Sequence, residues 1–387
     1  MDALLLAPRF DGHVAERGPS FEDQTFGHAL RGLGWRVEHF DDVAEARAHG
    51  VSAMNRRLTE RVRGDRPTLL FAVLRRALVH RRTIRAVTEG GQTRTFNWYC
   101  DDHWQFETVS RRWTPCFGLV GTTSAAAYPR YGERGWSNVI QTQWAADPSV
   151  FRPVADAPAC DVAFVGQPYG DRGDAVRALR DAGIDARGFG AGWPGGRLSR
   201  EAMVAAMAGA KLVLNFAGSS VGGFSAADRF LRSSAAERVA RAPVGWRAID
   251  LARSAAVRRR ASRGDSGVSP GPAQVKARVF EAAACGSCLV TEPAEDFASL
   301  LAPGREAVLF RNRDELLWAS RSLLGDEAGR AAMARAGRER VLREHTWAHR
   351  LAGVFERLGL DRASEIARNR ARGYAAACVG PAELEAA

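Results

Sequence analysis

The sequence predicts two doubly wound α/β domains in tandem, each a parallel sheet with helices on both faces, with a ligand cleft between them. Three observations lead there. Short apolar runs alternate with stretches of helical period in two successive series. An irregular, Pro-containing segment, WAADPSVFRPVADAPAC, separates the two series. The 387 residues are also too many for one ordinary core and suit two domains with extra segments.

In the first series the expected strands are ALLLA (3–7), WRVEHF, TLLFAV, TRTFNWY and FGLVGTT, separated by helical stretches such as SFEDQTFGHALRGLG and the Arg-rich 75–88. After NVIQTQ the chain turns irregular. The second series runs DVAFVG, a helix over 171–182, IDARGFG, a helix over 199–208, KLVLNF, a basic insertion, a helix containing Lys276, SCLVT, a helix over 295–302, EAVLF, and helices beyond. The expected domains are 1–145 and 161–346, joined by a linker at 146–160, with the insertion at about 224–270 and helices and a tail over 347–387. In WAHRLAGVFERLGL, Trp347, Leu351, Val354 and Leu358 recur at helical spacing. GPAELEAA reads as a frayed tail.

Composition narrows the function classes. Apolar residues make up 46% and charged residues 26%, as in globular rather than disordered chains. No run approaches the roughly 18 apolar residues of a membrane span, and ALLLA lacks the basic flank of a signal peptide, so a cytoplasmic location is expected. The six cysteines are scattered, which fits a reducing compartment rather than a disulfide framework. CGSC at 285–288 has redox spacing, but it follows a helix instead of opening one, and the simpler reading is small residues closing that helix at Gly286.

The net charge of +11 raises the question of nucleic acid. Between Phe224 and Pro270, however, ten arginines face four acids, so over half the excess sits in one segment. That is not a groove-wide field tracking a phosphate backbone, and no nucleic-acid partner is expected. The segment reads as a solvated surface excursion, with a peripheral membrane or acidic-partner contact as the alternative. Lysine occurs only at Lys211 and Lys276, against 53 arginines. Lys211 starts a strand, whereas Lys276 stands in KARVFEAAACGSCLVTE.

That stretch places Lys276 and Arg278 in the early turns of a helix expected to begin near Pro272. Cations there oppose the helix dipole unless an anion is bound. The loops after the strands of the second series are GQPYGDR (166–172), GAGWPGG (190–196), NFAGSSVGG (215–223) and TEPAED (291–296). In doubly wound sheets such loops hold the ligand, and Gly-rich ones let backbone amides approach an anion. Gly166, Arg172, Trp193 and Asn215 lie in them. Glu281, three residues after Arg278 on the same helical face, cannot attract phosphate, so it suits paired hydroxyls such as those of a ribose. The anion inferred is a nucleotide diphosphate. A surface ion pair between Glu281 and its helix neighbours is the alternative.

KARVFEAAACGSCLVTE, with DVAFVGQPYGDR, GAGWPGGRLS, KLVLNF, ADPSVFRP, FNWYCDDHWQF and TQWAADP, resembles the group 1 (family 4-like) glycosyltransferases, in particular their CgeB-like branch. The resemblance spans most of residues 95–350. It implies a GT-B fold of two Rossmann-like domains. The first would bind an unidentified glycan, lipid or protein acceptor and the second a nucleotide-diphosphate sugar as substrate, with C-terminal helices crossing back to the first. It carries the donor glutamate onto Glu281 and the phosphate contacts onto Lys276 and Arg278, with Arg172 a further candidate. Where many family members have a second glutamate, this chain has Ala273; the adjacent Gln274 can hydrogen-bond a sugar hydroxyl but cannot act as a base.

Asp101 and Asp102 end the strand TRTFNWYC, and a carboxylate there can take the proton of an acceptor hydroxyl; capping of the next helix is the alternative. DDH lacks the spaced acids of a metal site, so no metal and no cofactor are expected. Trp98, Trp104 and Trp193 are candidates for stacking on sugar or base, or for core positions. Two other readings are carried. GSSVG at 218–222 matches a serine-hydrolase elbow at Ser220, with Asp296 and His345 in the right order but no upstream oxyanion segment. The other is a GT-B scaffold that binds a nucleotide sugar without turnover. His345 and His349 have the spacing of zinc ligands, but the accompanying glutamate is missing.

Overall fold

The computed structural model describes residues 1–74, 78–155, 157, 159–218 and 273–378. The basic insertion at 224–270, Ser220 and the segment GPAELEAA lie outside the described residues. The chain divides into two compact units. The first contains Met1–Thr142 and Val354–Ala363; the second contains 143–218, 273–353 and 364–378.

Six strands form the sheet of the first unit: β1 (Asp2–Leu6), β2 (Arg36–Phe40), β3 (Leu69–Ala72), β4 (Arg94–Tyr99), β5 (Leu119–Thr122) and β6 (Val139–Gln141). Their order is β2-β1-β3-β4-β5-β6 and every pairing is parallel. Helices cover both faces of such a sheet, so its central strands are apolar on both sides and show no alternation. β3 and β5 are buried at every residue. Behind them Met54 and Leu58 of the helix Val51–Asp65 and Ile84 of the helix Arg81–Glu89 are fully enclosed. β6 is not among the strands expected from sequence; it is three residues long and only Val139 is buried, which leaves little pattern to read.

The second sheet comprises β7 (Cys160–Val165), β8 (Ala186–Phe189), β9 (Ala210–Asn215), β10 (Cys288–Thr291) and β11 (Val308–Leu309), in the order β11-β10-β9-β7-β8, again all parallel. Counted from its own first strand, the first sheet runs 2-1-3-4-5-6 and the second 2-1-3-4-5. The order reverses between β1 and β3 in the first unit and between β7 and β9 in the second, and at such breaks the loops beyond the carboxyl ends diverge to leave room for a ligand.

The helix expected near Pro272 spans Ala277–Ala284, with Lys276 as its N-cap residue in extended backbone. Gly286 ends it at φ +82°, where a side chain would be strained, and its amide returns to the Ala283 carbonyl. The helix Trp347–Arg357 buries Trp347, Leu351 and Val354, and Leu358 follows just beyond it. In the first unit, Phe355 packs 5.1 Å from the ring of Trp35, and Arg357 donates to the Ser137 carbonyl at 2.8 Å.

Candidate functional site

In the second unit, the carboxyl edge at the β7/β9 break is organised around one buried cation. Arg172 opens the helix Arg172–Asp181 and is 7% exposed. Its guanidinium donates to the carbonyls of Gly218, at 2.9 Å, and Phe216, at 3.4 Å, tying the loop after β7 to the loop after β9. One face of it lies 3.7 Å from the Tyr169 ring centre. Burial pushes the guanidinium below its ordinary value, against the opposing pull of Tyr169, Glu292 and Asp171. The Gly218 amide in turn donates to Glu292 Oε2 at 3.1 Å. Asn215, 4% exposed, points across the sheet and donates to Thr291 Oγ1 at 2.8 Å. Arg172 and Asn215 thus shape the edge from within. Tyr169 and Glu292 were not singled out from sequence, although both lie in the loops GQPYGDR and TEPAED that follow strands.

Gly166 and Trp193 form a second element of this edge. Trp193 Nε1 donates to the Gly166 carbonyl at 2.7 Å, and the Gly166 amide donates to Phe189 at 2.9 Å. The indole lies over Gly188, where a Cβ would come within 2.4 Å of the ring. Glycine at 188 is therefore required for Trp193 to lie flat against the sheet edge.

The helix Ala277–Ala284 reaches the same edge, because the Gln274 amide donates to the Ala217 carbonyl at 3.1 Å. Lys276 stands at its N-cap, half-buried, and its side chain makes no capping bond. Arg278 points along the helix instead: Nη1 lies 3.0 Å from Glu281 Oε2 and 3.0 Å from the Met203 sulfur. Glu281 is 6% exposed, so this is a buried pair rather than a surface one. Burial raises the Glu281 carboxyl above its ordinary value, with Arg278 and Arg200 acting in the opposite direction. Ala273, the position of the absent glutamate, is exposed.

The first unit carries a pocket at the carboxyl ends of β3 and β4, lined by Val73, Leu74, Trp98, Tyr99, Asp101 and Asp102 among others. The two aspartates diverge. Asp102 is 1% exposed and accepts hydrogen bonds from Ser110, Thr122 and Tyr131. Burial raises its carboxyl, and these donors only partly counter the effect. Asp101 occupies the N-cap of the helix Asp102–Gln105 but makes no side-chain capping bond, and it is half-buried at the pocket. Trp98 is 1% exposed and packs 5.2 Å from Phe26, so it lines the pocket as a core residue.

Neither rival chemistry gains a constellation from the described residues. Both His345 nitrogens are engaged, Nε2 with the Leu300 carbonyl at 2.8 Å and Nδ1 with Arg350 at 2.9 Å, so the ring cannot serve Ser220 and Asp296 as a relay. Cys285 and Cys288 are buried, and burial pushes their thiols up to about 12 and about 11, the reverse of what a reactive thiolate needs.

The architecture matches solved structures along nearly the whole chain. HepE from Anabaena, in complex with UDP and glucose, is 11% identical over 93% of this chain and 100% of that one, with a TM-score of 0.59. Sucrose-phosphate synthase from Thermosynechococcus elongatus is 14% identical over 94% and 100%, with a TM-score of 0.55. These likenesses define the class: the chain has the GT-B fold, two Rossmann-like units each built on a parallel sheet. Residues 245–356 match a family model described as glycosyl transferase-like. No curated protein matches the chain. Among the described residues, no helix is long and apolar enough to cross a membrane.

Proposed function

We propose that the protein is a glycosyltransferase that moves a sugar, a hexose in the simplest case, from a nucleotide-diphosphate sugar to an acceptor hydroxyl, and that it belongs to the CgeB-like branch its motifs resemble. The second unit takes the donor. The observation that carries this reading is the convergence, on one sheet edge, of a helix N-terminus bearing Lys276 with the buried carboxylate Glu281 one turn further along. The N-terminus and Lys276 offer positive charge to a diphosphate. Glu281 offers an acceptor to the ribose hydroxyls, and its Arg278 partner keeps the buried carboxylate ionisable. The match of residues 245–356 to a glycosyl transferase-like family supports the reading, as does the likeness to HepE, whose structures hold UDP and UDP-glucose. Because the leaving diphosphate is stabilised by these groups, we propose transfer without a metal. Asp101 is the acceptor-side carboxylate, orienting the incoming hydroxyl, and Asp102 fixes the loop that carries it.

Calorimetric titration with UDP-, GDP-, ADP- and dTDP-sugars, with EDTA and with added divalent metal, tests this. One nucleotide should bind saturably without metal, and Lys276→Ala and Glu281→Ala should each weaken it about tenfold or more, which is about 1.4 kcal/mol. Unchanged affinity in Glu281→Ala removes the ribose assignment. Exposed Ala273, where a glutamate is expected, favours a second reading in which the nucleotide sugar is bound without turnover; binding with no release of sugar would establish it.

A further inference from the structure

The helix Arg313–Gly325 of the second unit leaves a tryptophan standing in solvent. The inner side of this helix is set by Leu316, Ala319 and Ser320, all buried, with Leu316 packed into the core of the second sheet. Trp318 falls on the opposite side and is 71% exposed, the most exposed large hydrophobic side chain among the described residues. Indoles are buried on average, and they are enriched where they anchor a contact between proteins. The charges around this one indicate what covers it.

Trp318 is flanked by Asp314 at i−4 and Arg321 at i+3, both exposed. Being seven residues apart, these two lie along the same flank of the helix, one on either side of the indole in height. Among the described residues, neither side chain has a hydrogen-bond or ion-pair partner. Glu315, the other acid beside the indole, is already engaged. Its Oε2 accepts from the Arg311 amide at 2.8 Å, and its own amide donates to the Asn312 cap at 2.9 Å.

We propose that this face docks a second copy of the chain, the helix Arg313–Gly325 lying antiparallel to its own two-fold mate with Trp318 as the anchor. About such an axis each flank faces the same flank of the other copy, run in reverse. Asp314 of each copy then meets Arg321 of the other, so the ion pair forms twice and the indoles pack across the axis. An isologous interface needs a patch that matches itself, and an unpaired acid and an unpaired base two turns apart provide one. A partner of single-sign charge, such as an anionic lipid surface, is attracted by Arg321 and repelled by Asp314 beside it. The indole supplies the affinity and the charges fix the register. The contact is small, since a helix of 13 residues is about 20 Å long. It is a transient interface, with a Kd on the order of 10 to 100 μM.

Sedimentation equilibrium of the full chain from about 1 to about 300 μM, a range that brackets this constant, is the test. The average mass should climb from one chain towards two. Trp318→Ser, Asp314→Arg and Arg321→Glu should each weaken self-association by about tenfold or more. Asp314→Arg and Arg321→Glu mixed in equal amounts should associate again, because one chain then carries two cations on the flank and the other two anions. The double variant Asp314→Arg/Arg321→Glu should pair with itself to within about threefold of wild type, both charges being exchanged together. A chain that stays monomeric throughout, a dimer unmoved by Trp318→Ser, or complementary variants that remain apart when mixed overturns the proposal. So does a monomer that floats with phosphatidylglycerol vesicles only while Trp318 is present, since the face then belongs to a membrane.

Discussion

The Arg172 guanidinium lies flat against the Tyr169 ring, 3.7 Å from its centre, and from there it reaches the Gly218 carbonyl at 2.9 Å. One side chain therefore sets the spacing of the loops on either side of the β7/β9 break. A planar fork that stacks and bonds at once has no lysine equivalent. Arg172→Lys should cost about 2 kcal/mol of stability, since it leaves a buried carbonyl short of its donor. It should also weaken nucleotide affinity without contacting the nucleotide. Thermal unfolding with and without nucleotide checks both, and a variant as stable as wild type would show that the two bonds contribute nothing.

Asp101 and Asp102 are adjacent in sequence and opposite in environment. Asp102→Asn puts an amide among three hydroxyl donors and leaves at least one unpaired, at a cost of about 1 to 3 kcal/mol. Asp101→Asn, at a half-buried position without a capping bond, should change stability by no more than about 0.5 kcal/mol. It should raise the acceptor KM while leaving donor binding alone. Chemical denaturation of both variants, with acceptor kinetics on Asp101→Asn, separates the two roles.

His345 makes stability depend on pH in a definite direction. Burial first, then Arg350, holds its pKa down to about 3. The unfolded chain takes up a proton near 6.5, whereas the folded one does not until near 3. The stabilisation is thus complete above about pH 6.5 and is lost as the pH falls towards 3. Between pH 7 and pH 5 the loss should be about 2 kcal/mol. His345→Gln, which can still donate to Leu300 and accept from Arg350, should remove that part of the slope in melting curves taken across this range.

Thiol chemistry should follow burial rather than the CGSC spacing. Alkylation of the folded protein near pH 8, followed by mass spectrometry, should label Cys100 and Cys378 first, since both are half-exposed. Cys285 and Cys288 should resist until the chain is unfolded, being buried with raised thiols. Rapid labelling of this pair would restore a redox role.

The strands were readable because buried parallel strands are continuous apolar runs: KLVLNF holds all of β9 but Ala210, and SCLVT contains β10. β6, with one buried residue in three, carries no such signal. The helix bearing Lys276 starts several residues later than expected from Pro272, because its periodicity locates the apolar face but not the first turn. Burial of the Arg278–Glu281 pair against Met203 depends on a helix some 75 positions earlier, which no local pattern reveals. Asp41, directly after β2, likewise meets the His13 ring at 2.9 Å across 28 positions, a contact visible only once β1 and β2 lie side by side.

Residues Val354–Ala363 complete the first unit, through Phe355 against Trp35 and Arg357 on the Ser137 carbonyl. On the ribosome, then, the part made first cannot finish before the part made nearly last. At about 5 to 20 residues per second, the roughly 200 residues between them take on the order of 10 to 40 s to synthesise. Over that interval the indole of Trp35, 3% exposed in the finished protein, lacks its aromatic partner. The nascent first sheet keeps that aromatic surface uncovered until Phe355 arrives.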